Sequence, residues 1–197
     1  MSVLGELQPN KVFKYFEEIC SIPHGSRNLQ QISDYLVDFA KAHELKYRQD
    51  EDLNVIIWKD GSKGYEASEP VILQGHMDMV AVKEADCGKD MEKEGLDLEI
   101  NGDYISAKGT SLGGDDGIAV AYTLAVLDDE EMAHPPIEAI FTVNEEIGML
   151  GAATIDVSDL KGRLFMNMDS EDEGVFTVSC AGGASVICKI PYETETV

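Results

Sequence analysis

Val71-Ile72-Leu73-Gln74-Gly75-His76-Met77-Asp78 is an apolar run that closes on a histidine and an aspartate one residue apart. A short apolar run of this kind reads as a buried strand, and this one ends in an imidazole and a carboxylate. Three other segments also deliver acids: Asp115-Asp116 after a Gly-rich turn, Glu145-Glu146, and Asp169. Each has a plain structural explanation when taken alone. A single histidine is more often a satisfied core or surface residue, and an Asp pair most often starts a helix. Glu145-Glu146 reads singly as a solvated turn, and Asp169-Ser170-Glu171-Asp172-Glu173 as a solvated acidic loop. Solvated faces have no reason to recur at the ends of apolar strands, so the joint pattern reads as parts of one metal site.

Helices and strands alternate outward from that run. Pro9 suits a first helical turn, and Val12, Phe13, Phe16 and Ile19 make an apolar stripe. Ser21-Ile22-Pro23-His24-Gly25 stops that helix. Ser26 then reads as the N-cap of a second one, with Leu29, Ile32, Leu36, Phe39 and Ala40 facing the core. Asn54 to Trp58 is a β-branched strand. Leu96 to Ile100 alternates apolar and polar, Asn101-Gly102 follows, and Tyr104 to Ala107 completes a hairpin signal. The small-residue loop Lys108 to Gly117 leads into an apolar helix from about Ile118 to Leu127. Ile137 to Val143 and Leu164 to Met168 read as strands, as do Val175 to Val178 and Ala184 to Ile190. Residues 60–70 and 83–95 read as exposed loops. The interleaving predicts an α/β fold, a central mixed sheet flanked by helices.

The 197 residues suffice for one sizeable core, and 44% hydrophobic with 27% charged residues is an ordinary globular balance. A net charge of −23, from 15 Lys+Arg against 38 Asp+Glu, argues against nucleic acid and anionic membranes as partners. Cys20, Cys87, Cys180 and Cys188 form no C-x-x-C pair and read as reduced thiols. No stretch resembles a signal peptide or a membrane span, so a cytoplasmic protein is expected.

Sites in open α/β sheets gather beyond the strand ends, where His76, Asp78, Glu145, Glu146 and Asp169 fall. Asp115 lies where the Gly-rich loop enters a helix, so helix-terminal N–H groups are available to fix it. One imidazole among carboxylates, with no Cys pair nearby, suits Zn²⁺, or Mn²⁺ and Co²⁺, better than a Cys₄ centre. Calcium would want more oxygen and less imidazole. Clustered carboxylates raise one another's pKa. A pair of divalent ions bridged by one aspartate would relieve that repulsion and activate a water.

Four ordered motifs carry a resemblance. They are Leu73-Gln74-Gly75-His76-Met77-Asp78-Met79-Val80, Gly109-Thr110-Ser111-Leu112-Gly113-Gly114-Asp115-Asp116-Gly117, Thr142-Val143-Asn144-Glu145-Glu146-Ile147-Gly148 and Asn167-Met168-Asp169-Ser170-Glu171. Together they resemble the M20 family of metallopeptidases and, with Ser179-Cys180-Ala181-Gly182-Gly183, its aminoacyl-histidine (Xaa-His) dipeptidase branch. The resemblance implies a zinc-peptidase-like catalytic domain with two Zn²⁺. His76 would bind one ion, Asp115 would bridge both, and Glu146 and Asp169 would complete opposite sides. Asp78 would orient the imidazole, and Glu145 would be the general base. Asp116 receives no ligand role and reads as a helix-start residue. Family members continue into a lid domain and a second catalytic segment bearing a further metal-binding histidine, which His24, His43 and His134 do not match by position. The expectation is therefore that residues 1–197 are the N-terminal segment of the catalytic domain, truncated before the lid domain, with the C-terminal catalytic segment also absent. The implied function is zinc-dependent hydrolysis of short peptides, Xaa-His dipeptides in particular, with the activity of this portion and its oligomeric state left open. Two rivals stand beside it, a non-catalytic metal-binding fragment and a relative acting on another amide, such as an aminoacylase or tripeptidase.

Overall fold

In the computed structural model, which describes residues 2–170, 174–179, 182–184 and 186–192, the expected alternation holds as far as Asn167. The elements are α1 (Asn10–Cys20), α2 (Gln30–Ala42), β1 (Lys46–Gln49), β2 (Val55–Lys59), β3 (Val71–His76), β4 (Leu98–Asn101), β5 (Tyr104–Ala107), α3 (Gly114–Leu127), β6 (Ile137–Thr142), α4 (Leu150–Thr154) and β7 (Leu164–Asn167). Of the quoted motif residues, Glu171, Cys180 and Ala181 lie outside the described set, as do Asp172 and Glu173.

The main sheet runs in the order β1-β2-β6-β3-β7. β3 lies parallel to both β6 and β7, while β2 pairs antiparallel with β1 and β6, so the sheet is mixed as expected. Side chains alternate across a strand. Leu73, Ala139, Phe141, Val55 and Ile57 therefore share the face that joins α1, α2 and α3 in the core. α3 is apolar on nearly every side because it sits between β3 and α1; Ala119, Val120, Ala121, Leu124 and Leu127 are all buried. Full burial of each large side chain contributes roughly 1.5–3 kcal/mol. Ile72, Glu138 and Ile140 occupy the opposite face and are buried too. There the Glu138 carboxylate accepts the backbone N–H groups of Lys161 and Gly162, at 3.0 and 2.9 Å.

The Asn-Gly hairpin forms as expected, β4 against β5, in a small sheet of its own. β1 is an addition, since Lys46-Tyr47-Arg48-Gln49 carries no apolar alternation. Pairing with β2 creates it, and Lys46 Nζ settles 4.5 Å from the Trp58 ring centre. Ser26 does not cap α2, which begins at Gln30 with Leu29 in the cap position; its hydroxyl is used elsewhere. The described residues of Val175–Val178 and Ala184–Ile190 form no strand. Phe176, Val178 and Val186 bury almost nothing, and an extended segment without a hydrogen-bonded neighbour is not a stable strand. Cys20, Cys87 and Cys188 are free thiols. No described helix is long and apolar enough to cross a membrane.

Candidate metal centre

His76 is the last residue of β3, and 1% of its surface is exposed. Its two ring nitrogens have different partners. Nδ1 lies 2.9 Å from the backbone carbonyl of Asp78, while Nε2 lies 2.9 Å from Asp115 Oδ1. Nε2 is also 3.9 Å from Glu145 Oε2 and 3.9 Å from Asp169 Oδ2. The end of β3, the start of α3, the turn after β6 and the residues after β7 thus converge on one imidazole.

Asp78 is as buried as His76, and its carboxylate accepts two hydrogen bonds. Ser26 Oγ donates to Oδ2 at 2.8 Å, and the Glu145 backbone N–H donates to Oδ1 at 3.0 Å. Burial works against its charge, but the His76 ring and these two donors outweigh that and hold the carboxyl below its ordinary range. Asp78 therefore orients the imidazole mainly through its carbonyl, since its carboxylate is 3.5 Å from Nδ1. The carboxylate fixes the Glu145 turn instead.

Asp115 and Asp116 stand in the first turn of α3, in keeping with the helix-start reading, but neither caps the helix with its side chain. The cap position belongs to Gly113, at φ +69°, where an added Cβ would lie 2.8 Å from Met79 Sδ. Asp115 is 68% exposed by side chain and reaches outward to His76 Nε2. Asp116 turns inward, is 1% exposed, and accepts the His76 backbone N–H on Oδ2 at 3.1 Å. Sequence reasoning missed this role. The available signal was Gly75, whose missing side chain makes room: a Cβ there would sit 2.9 Å from Asp116 Oδ2.

The electrostatics fit a cation. Burial, with the neighbouring Asp169 and Asp115 adding to it, pushes the Asp116 carboxyl up to about 7 despite the opposing pull of His76. Burial and nearby carboxylates also raise Glu145 and Glu146 above their ordinary value. Burial opposes a charge on His76, yet Asp78, Asp116 and Asp115 together push it up to about 10. The carboxylates around it thus favour the charged imidazolium. Donor atoms of His76, Asp115 and Glu146 lie within 4.8 Å of one another, as do those of His76, Asp116 and Asp169. One imidazole and several carboxylates make an appropriate donor set for a divalent ion of the zinc type. Every proposed ligand and both proposed catalytic residues, Asp78 and Glu145, thus lie in this one cluster. His24 and His134 are buried with Nδ1 on the carbonyls of Ile22 and Pro135, and neither is among the grouped donor atoms.

No family model matches the sequence. The cytosol non-specific dipeptidase of Escherichia coli (strain K12) is 39% identical over 197 residues, which is 100% of this chain and 41% of that protein. The crystal structure of aminoacylhistidine dipeptidase from Vibrio alginolyticus superposes with a TM-score of 0.84 at 40% identity, over 87% of this chain and 35% of that one. A tripeptidase from Staphylococcus aureus shares the fold at 23% identity, with a TM-score of 0.69 over 85% of this chain and 45% of its own. The chain spans less than half the length of each of these relatives.

Proposed function

From a chain that is homologous along its whole length to a dipeptidase and carries the M20 catalytic fold, we propose that the whole protein hydrolyses dipeptides at a divalent-metal site built on His76. One observation carries this reading. A buried imidazole presents Nε2 to Asp115, Glu145 and Asp169, which arrive from three separate segments.

In this reading His76, Asp115, Glu146 and Asp169 would hold two Zn²⁺, with Asp115 serving both and Mn²⁺ or Co²⁺ as alternates. When bound, such ions supply positive charge for a developing oxyanion and make a water easier to deprotonate. The chain's own groups do the rest. The carbonyl of Asp78 takes Nδ1–H and so leaves the Nε2 lone pair facing outward. Burial and Asp169 raise the Glu145 carboxyl, which suits it to take a proton from the water that attacks the scissile carbonyl carbon. The same carboxyl hands that proton to the amine as the C–N bond breaks. Asp78 Oδ1, by accepting the Glu145 N–H, keeps that carboxyl beside the imidazole.

The substrate class is dipeptides, Xaa-His among them, because one relative is named as non-specific and another for aminoacyl-histidine. A cytoplasmic setting, without nucleic acid or membrane as partner, belongs to the same reading. Amino-acid release from a small panel by the whole protein tests it. Dipeptide turnover that a chelator abolishes and zinc restores is expected. Release only from tripeptides or N-acyl amino acids overturns the substrate class, and metal uptake without any hydrolysis overturns the activity.

A further inference from the structure

Three neighbouring strands feed the site: β3 ends in His76, β6 leads to Glu145 and Glu146, and β7 leads to Asp169. Their supports differ. β3 and β6 are backed by the core, whereas β7 has four residues and, among the described residues, pairs only with β3 and is exposed. Within the described residues Leu164, Phe165 and Met166 are 59%, 54% and 42% exposed, and the contacts that β7 makes there are polar and backbone ones.

A chain of side-chain hydrogen bonds does span the three strands. Asn167 Nδ2 donates to Gln74 Oε1 at 2.7 Å, and Gln74 Nε2 donates to Thr142 Oγ1 at 3.2 Å. Asn167 and Gln74 are register partners across β7 and β3, and Thr142 is the register partner of His76 across β6 and β3. Gln74 shares a sheet face with His76, and Asn167 precedes Asp169 by the same two-residue step. A primary amide can accept and donate at once, so one planar group can join both neighbours. Glu138 secures the start of β7 through Lys161 and Gly162, and the Gln74 link secures its end.

We infer that Gln74 is a positioning residue, whose amide joins β7, β3 and β6 and so sets the distance between the Asp169 carboxylate and the His76 imidazole. Gln74 acts on the metal only through that spacing, and the inference rests on the metal-site reading above. Hydrogen-bonding partners behind metal ligands typically govern affinity by about 10–100-fold.

The test is zinc affinity of the whole protein, measured by competition with a chromophoric chelator, for wild type, Gln74→Met, Asn167→Ala and the double variant. Each single change should weaken zinc by about tenfold, and the double variant should lose no more than either single one, because both cut the same link. Gln74→Glu accepts from both Asn167 Nδ2 and the Thr142 hydroxyl, so it should keep wild-type affinity. The visible spectrum of the Co²⁺-loaded protein should change in Gln74→Met and return in Gln74→Glu. Asn167→Ala removes one hydrogen bond and no apolar side chain, so this variant keeps the test open if Gln74→Met fails to fold. Wild-type affinity in both single variants overturns the role of Gln74, as do fully additive losses. A wild-type protein that binds no zinc overturns the metal-site reading itself.

Discussion

His76 ends the central strand β3 with 1% of its surface exposed, whereas Asp169 follows a strand that, among the described residues, is exposed throughout. On the His76 side each polar atom has a protein partner. Nδ1 is held by the Asp78 carbonyl, the backbone N–H by Asp116, and the Asp78 carboxylate by Ser26 and Glu145. The Asp169 side has a short ladder to β3, the Glu138 contacts at the start of β7 and one amide link at its end. Among the described residues the His76 half is therefore the more closely held of the two. Among the described residues one wall is held by burial and the other by hydrogen bonds across strands.

Glu145 tests that contrast with the largest effect, because its backbone is tied to the His76 half while its carboxylate faces the other. Glu145→Ala in the whole protein should lower turnover by about 10²–10⁴-fold, the range for a lost general base, with metal content unchanged. Near-normal kinetics would remove the base assignment. The two halves separate next in paired variants. His76→Ala should lower bound zinc by elemental analysis and also destabilise the metal-free protein by about 3–5 kcal/mol, since Asp78 and Asp116 lose a buried cationic partner. Asp169→Ala should lower bound zinc while shifting metal-free stability by less than about 0.5 kcal/mol. Equal destabilisation in denaturant titrations would dissolve the distinction between the two walls.

The smallest effect is in pH. His76 is raised from its ordinary 6.5 to about 10 by its carboxylate neighbours. Its stabilising contribution is fully present below 6.5 and is lost as pH rises through about 10. Asp116, raised from 3.8 to about 7, acts in the same direction at lower pH, as its buried carboxylate becomes charged. The denaturation midpoint of the metal-free protein should therefore fall from pH 6 to pH 10, and His76→Ala should flatten the upper part of that slope. A midpoint that climbs over this range would contradict the charge state assigned to the cluster.

Much of the fold was legible in the sequence. The apolar run Val71–Leu73, the apolar helix before Leu127 and the Asn101-Gly102 turn each announce their element through burial pattern or turn chemistry. The convergence of four acidic segments was legible too, because each follows a strand or a Gly-rich turn. The inward turn of Asp116 was not, since two adjacent aspartates look alike until a fold assigns one to solvent and one to His76. Gly75 held that information, but only as a space for something unnamed. Ser26 misled for a related reason: a hydroxyl before a helix is a good cap, and only tertiary structure brings Asp78 within 2.8 Å of it. The Asp169 half was least legible. Val175–Val178 has the composition of a strand, and among the described residues it has no strand to pair with.

The central claim is that segments distant in sequence meet around His76 to hold metal, and anomalous diffraction from crystals of the whole protein grown with zinc tests it most directly. The account predicts density at bonding distance from His76 Nε2 and the Asp115 carboxylate, with Asp169 and Glu146 on either side. Zinc found only away from His76, or a cluster that stays metal-free at saturating zinc, would contradict it.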